Sequence, residues 1–143
     1  KRGVPVTAIV PTVGDSELID YMNKIMTNEL LAAGVKVFNY DTLNADFGKH
    51  DHVTDHFNHG KLATVDGKWT TIGTANVDTR SMNDNQEINI NVDSEAFARE
   101  IEQRIFVIDL ATKCTPATVT PFSAWSWPKR FLMKHLRFLL FAF

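Results

Sequence analysis

The apolar period of the chain switches from strand to helix and back before residue 41, and this switch constrains the fold more than any other feature. Val4-Pro5-Val6-Thr7-Ala8-Ile9-Val10 is a short β-prone run, closed by Pro11. Asp15 or Ser16 can cap the helix that follows, with Glu17 in its first turn, where the helix dipole favours an anion. Leu18, Tyr21, Met22, Ile25, Met26, Leu30 and Ala33 then recur at helical spacing, and Gly34 stands where a left-handed terminating residue belongs. Val35 to Tyr40 reads as a second strand. Two strands joined through a helix by short connections form a right-handed parallel crossover, so the fold class is α/β.

Residues 41–58 break the pattern. They hold four acids and three histidines, His50, His52 and His56, without periodicity, and a loop this long inside a compact domain tends to border a site. The run from His59 to Asp66, the Asp66-Gly67 pair and Trp69-Thr70-Thr71-Ile72-Gly73 together give a strong hairpin signal. Gln86 to Val92 alternates cleanly, with Ile88, Ile90 and Val92 on one face and Glu87, Asn89 and Asn91 on the other. Ser94 or Asp93 caps a second helix with the stripe Phe97, Ile101, Ile105 and Ile108, ending at Lys113. The chain is thus expected to comprise a folded lobe over 1–114, a Thr/Pro/Trp connector over 115–127, and a basic amphipathic helix over 128–143 with Pro128 at its first position.

At 143 residues, 44% of them hydrophobic, the chain is one domain's worth and should bury roughly 68% of its unfolded surface without staples. Its single cysteine, Cys114, excludes a disulfide framework and any zinc site of the multi-cysteine kind. No apolar run approaches the roughly 18 residues of a membrane span. The net charge of -2 hides an asymmetry: Lys129, Arg130, Lys134 and Arg137 give the tail +4, which leaves -6 on the rest. A body that acidic is a poor general binder of nucleic acid, because counterion release needs clustered cations. The opening Lys1-Arg2-Gly3, without an initiator Met, suggests a fragment, a processed product or an expression boundary.

The chemistry concentrates at the run that begins with His59. His59 and Lys61 are two apart on a strand, so both point to the same side of the sheet. An imidazole beside an ammonium suits phosphoryl chemistry: the ring attacks phosphorus or protonates a leaving alkoxide, while the cation binds non-bridging oxygens. Thr74 and Asn76 follow the next strand and can donate hydrogen bonds to the same phosphate. Glu87 lies on the polar face of the strand after that, and a carboxylate on a histidine ring fixes its tautomer and stabilises the imidazolium. Asp66 differs in parity from His59 and Lys61 and sits in the hairpin turn, so it reads as turn chemistry with a hydrogen bond or ion pair.

His59-Gly60-Lys61-Leu62-Ala63-Thr64-Val65-Asp66 matches the H-x-K-x4-D signature of the phospholipase D superfamily. Gly73-Thr74-Ala75-Asn76 follows at the spacing of that family's G-S-x-N element, with Thr in place of the usual Ser, and Glu87 falls where its histidine-orienting Glu falls. Val77-Asp78-Thr79-Arg80-Ser81, Asn85-Gln86-Glu87 and Arg2-Gly3-Val4-Pro5-Val6 resemble the bacterial cardiolipin synthase branch. The resemblance covers residues 2–112 and implies a layered α/β/α lobe of the C-terminal type with a mixed sheet. The family lobe begins with a strand and helix upstream of Gly3, so this one is expected to be incomplete at its N-terminus.

The resemblance further implies metal-independent phosphodiester transfer through a phosphohistidine, with no cofactor. Family members bring two such lobes together, in one chain or as a homodimer, one histidine acting as nucleophile and the other as general acid. His59, Lys61 and Glu87 would then be catalytic, Lys61, Thr74 and Asn76 would bind phosphate, and Asp66 would be structural. A phospholipid is the expected substrate, a second lobe with its own H-x-K the expected partner, and a membrane surface the expected setting.

Other readings stand beside these. The histidines 50, 52, 56 and 59 form a ligand-like pattern, but Asp46, Asp51 and Asp55 interleave with them and the segment reads more simply as solvated, so no metal is expected. A symmetric homodimeric phosphodiesterase or nuclease is one alternative function, disfavoured by the acidic loop. A catalytically silent binding or assembly module is another. Trp125, Trp127 and the basic, Phe/Leu-rich tail fit a lipid interface and an interlobe contact equally well.

Overall fold

The structure is a computed structural model and describes residues 3–12, 17–41, 58–77 and 79–121. In chain order its elements are β1 (Thr7–Pro11), α1 (Glu17–Ala32), β2 (Lys36–Tyr40), β3 (Leu62–Val65), β4 (Trp69–Gly73), α2 (Thr79–Asn83) and β5 (Asn89–Asp93). A helical run then follows as α3 (Glu95–Ile101), a π-helical segment (Glu102–Phe106) and α4 (Val107–Thr112), before β6 (Cys114–Pro116). The Asp15/Ser16 cap, the histidines 50, 52 and 56, Trp125, Trp127 and the 128–143 segment lie outside the described residues.

The crossover unit read from the opening sequence is present. β1 and β2 pair in parallel from Thr7 opposite Lys36 to Pro11 opposite Tyr40, and α1 packs against both strands. Gly34 ends the helix at φ 86°, a left-handed conformation that costs glycine little. Around it the Val35 N–H reaches the Leu30 carbonyl at 3.0 Å and the Gly34 N–H reaches Leu31 at 2.9 Å, which satisfies carbonyls the helix leaves unpaired.

The expected α/β lobe with a mixed sheet is present, and among the described residues its strands form two sheets of three. The first, ordered β1-β2-β6, is mixed, because β6 runs antiparallel to β2 with Tyr40 opposite Cys114. The second, ordered β3-β4-β5, is wholly antiparallel. Strands linked by short connections pair with one another first, and the long segment between β2 and β3 separates the two groups in sequence. The Thr/Pro stretch expected to be a connector also begins inside the first sheet. The free edge of β2 takes Thr115 and Pro116 as partners of Asn39 and Phe38, and Pro116 is tolerated at the end of an edge strand.

One helical run serves both sheets: α3 packs on β3 and β4, and α4 packs on β6. Ser94 starts it as anticipated, its hydroxyl accepting from the Phe97 N–H at 3.3 Å. Ala98, wholly buried, lets the helix approach the sheet closely, and Thr70, the second residue of β4, is equally sealed. Val10 and Val37 form the buried apolar part of the first sheet. The even-numbered face of the second sheet is covered only in part, since Ile88 and Ile90 remain 76% and 66% exposed.

Candidate active site

Register carries the site. The Gly73 N–H donates to the Lys61 carbonyl at 3.0 Å, extending the β3–β4 ladder by one rung beyond Leu62 opposite Ile72. Gly73 is in turn opposite Asn89 on β5, and Thr74 continues that pairing through its N–H to the Ile88 carbonyl at 3.1 Å. Because side chains alternate along a strand, Lys61, Asn89 and Glu87 fall on one face of the sheet. His59 stands just before this rung and is exposed. Two local bonds shape its turn: the Gly60 N–H donates to Asn58 Oδ1 at 2.9 Å, and Lys61 Nζ donates to the His59 carbonyl at 2.8 Å.

Gly73 is required by close approach. A β-carbon there would collide with Asn89 Oδ1 and the Ile88 carbonyl and lie 2.6 Å from the Asn89 Cα. The space is used: Asn89 Oδ1 accepts from the Ala75 N–H at 3.3 Å and so ties down the turn that carries Asn76. Asn76 itself is exposed, three residues beyond β4.

Glu87 is the best-held group. Its carboxyl lies below the ordinary glutamate value of 4.5, chiefly because the Thr74 hydroxyl and then that of Ser81 hydrogen-bond it; desolvation opposes them, and smaller contributions come from Asn85 and from the nearby Lys61 charge. Asn85 Nδ2 donates to Glu87 Oε1 at 3.4 Å, and Thr74 Oγ1 accepts from the Ile88 N–H at 3.0 Å while turning its proton to the carboxylate. The structure thus brings Lys61, Thr74 and Glu87 together. It adds Ser81 and Asn85, to which the sequence reading gave no role, although both lie in the short polar run just ahead of Glu87.

Asp66 sits apart, at the far end of β3 from Lys61. It and Gly67 both take positive φ, 53° and 60°, and the Lys68 N–H returns to the Val65 carbonyl at 3.0 Å. Among the described residues no group of three or more His, Cys, Asp or Glu is arranged to hold a metal ion. An exposed imidazole, a nearby ammonium and a carboxylate kept ionised by neutral donors are the parts needed to bind a phosphate diester and move a proton.

Residues 1–106 match the family described as the PLD-like domain of cardiolipin synthase. Cardiolipin synthase A of Proteus mirabilis (strain HI4320) is 33% identical over 135 residues, covering 94% of this chain and 24% of the relative. The proteins of that name from Pectobacterium carotovorum subsp. carotovorum (strain PC1) and Escherichia coli O157:H7 are 35% and 34% identical over 101 residues, 71% of this chain and 18% of each relative. The chain therefore spans about a fifth to a quarter of the length of these relatives.

Proposed function

This chain belongs to the PLD-like domain family of cardiolipin synthase, and from that premise we propose that it forms one half of a site transferring a phosphatidyl group between alcohols. The observation that carries the reading is the convergence of Lys61 and Glu87 on one sheet face beside the exposed His59. Lys61 and Asn76 bind the non-bridging phosphate oxygens, with the Thr74 hydroxyl at the edge of the same pocket, and Glu87 orients the His59 ring. A ring nitrogen of one histidine attacks phosphorus as the bond to the leaving alcohol breaks, and the second histidine gives that alkoxide its proton. The acceptor alcohol then surrenders its proton to the second histidine and displaces the first, which regenerates both. The second histidine comes from another H-x-K lobe, because the sequence has one.

The substrate proposed is a phospholipid, met at a membrane surface; no helix among the described residues is long and apolar enough to cross a membrane. Cardiolipin is two phosphatidyl groups on one glycerol, so phosphatidylglycerol vesicles offer donor and acceptor together. Sedimentation of the full chain, alone and in a protein that supplies a second lobe, should be run beside turnover on these vesicles in chelator. Lipid product unaffected by chelator and abolished by His59→Ala is the expected result. Cleavage of DNA in place of lipid would replace the transferase with a nuclease, and wild-type turnover by His59→Ala would remove the assignment altogether.

A further inference from the structure

We propose that Ser81 and Asn85 are positioning residues: from α2 and the turn after it they clamp the Glu87 carboxylate, while Thr74 holds it from the end of β4. The inference rests on the reading of Glu87 as the group that orients His59. Its first support is burial. From Ser81 to Gln86 every residue except Ser81 is exposed, Met82 at 62%, whereas Ser81 is 6% exposed with its hydroxyl oxygen closed to water. A helical turn that exposes its methionine and buries its serine is not seated by hydrophobic packing. A hydroxyl so enclosed needs a polar partner, and the carboxylate facing it is that of Glu87.

The second support is the chemistry of the donors. Among the described residues Glu87 meets the neutral Thr74, Ser81 and Asn85 and the cation Lys61. Neutral donors hold a carboxylate ionised and fix its rotamer without adding positive charge beside a histidine that must itself become protonated. The Asn85 contact is long at 3.4 Å, so it does not hold the carboxylate alone.

The test reads Glu87 directly. In the full chain, selectively labelled for carboxyl carbon NMR, Ser81→Ala and Asn85→Ala should each move the Glu87 titration upward, and Ser81→Thr should return it toward the parent. Asn85 is exposed, so its variant keeps the question open if Ser81→Ala fails to fold. In the assembled active species each alanine variant should lower kcat about tenfold or more with KM nearly unchanged, on the scale of a misaligned catalytic group. The acid limb of the rate profile should shift upward as well. A Glu87 titration indifferent to both alanine variants overturns the clamp, even if lipid turnover persists. A titration that moves while the rate profile of an active enzyme stays put overturns the positioning role. Where the titration moves but the wild type never turns over lipid, the clamp stands and the functional reading falls.

Discussion

Gly73 shows how much one missing side chain can organise. The volume it vacates is filled by the Asn89 carboxamide, which holds the backbone leading to Asn76. Gly73→Ala should therefore destabilise the chain by about 2 kcal/mol, within the range of overpacked sites, because the obstacles are backbone atoms and a bonded amide and not a yielding side-chain tip. Urea unfolding checks this, and a variant as stable as the parent would mean the strands separate there at no cost. The polar face that carries Glu87 was legible from alternation; the hydroxyls around it were not, because spacing along a chain does not show which side chains converge. Thr74 illustrates the limit. The motif assigns it to phosphate, and only the fold shows its hydroxyl also meeting the Ile88 N–H and the Glu87 carboxylate.

The turn between β3 and β4 was legible, since Asp-Gly is among the few pairs that accept positive φ at consecutive positions, but the strand before it begins at Leu62 and leaves His59 and Lys61 outside it. Its backbone explains Asp66 without reference to phosphate. Asp66→Gly should keep stability within about 0.5 kcal/mol of the parent, while the β-branched Asp66→Val should lose more than about 1 kcal/mol to left-handed strain. Thermal melts of the two variants decide the matter. If both are equally damaging, the carboxylate and not the turn is what position 66 requires. The helical run after Ser94 was equally readable from its stripe and its cap. Its π-helical turn was not, because one widened turn, here with the Val107 N–H on the Glu102 carbonyl, leaves no mark on apolar spacing.

Across the whole molecule, the segment after β6 does more than connect. The Asn28 amide on α1 donates to the Thr120 carbonyl and accepts from the Thr120 N–H, both at 2.9 Å, across 92 residues of sequence. With the Ala117 N–H on the Val37 carbonyl, this closes the first sheet and its helix into one unit. Asn28→Ala removes both bonds and leaves two backbone groups of Thr120 unpaired, so a loss of about 1–3 kcal/mol is expected. Amide exchange should accelerate at Ala117 and Thr120, and unchanged protection there would show that β6 holds the segment unaided. The buried apolar core among the described residues is small, Val10, Val37 and Ala98, while Ile88 and Ile90 stay open to solvent. That departs from the core anticipated from length, because burial depends on which faces are covered and not on the number of apolar residues available.

The amino-acid order alone determined what is periodic or steric: the strand–helix–strand opening, the hairpin turn, the helix cap and terminating glycine, and the alternation of side chains within each strand. Each depends on neighbours a few residues apart, so local pattern suffices. Tertiary structure alone decided the split into two sheets, the recruitment of Cys114–Pro116 as a strand, the link from Asn28 to Thr120 and the hydroxyls gathered on Glu87. Those depend on residues distant in sequence becoming neighbours in space, and the entropy of closing such loops is recovered only once the strands have chosen their partners.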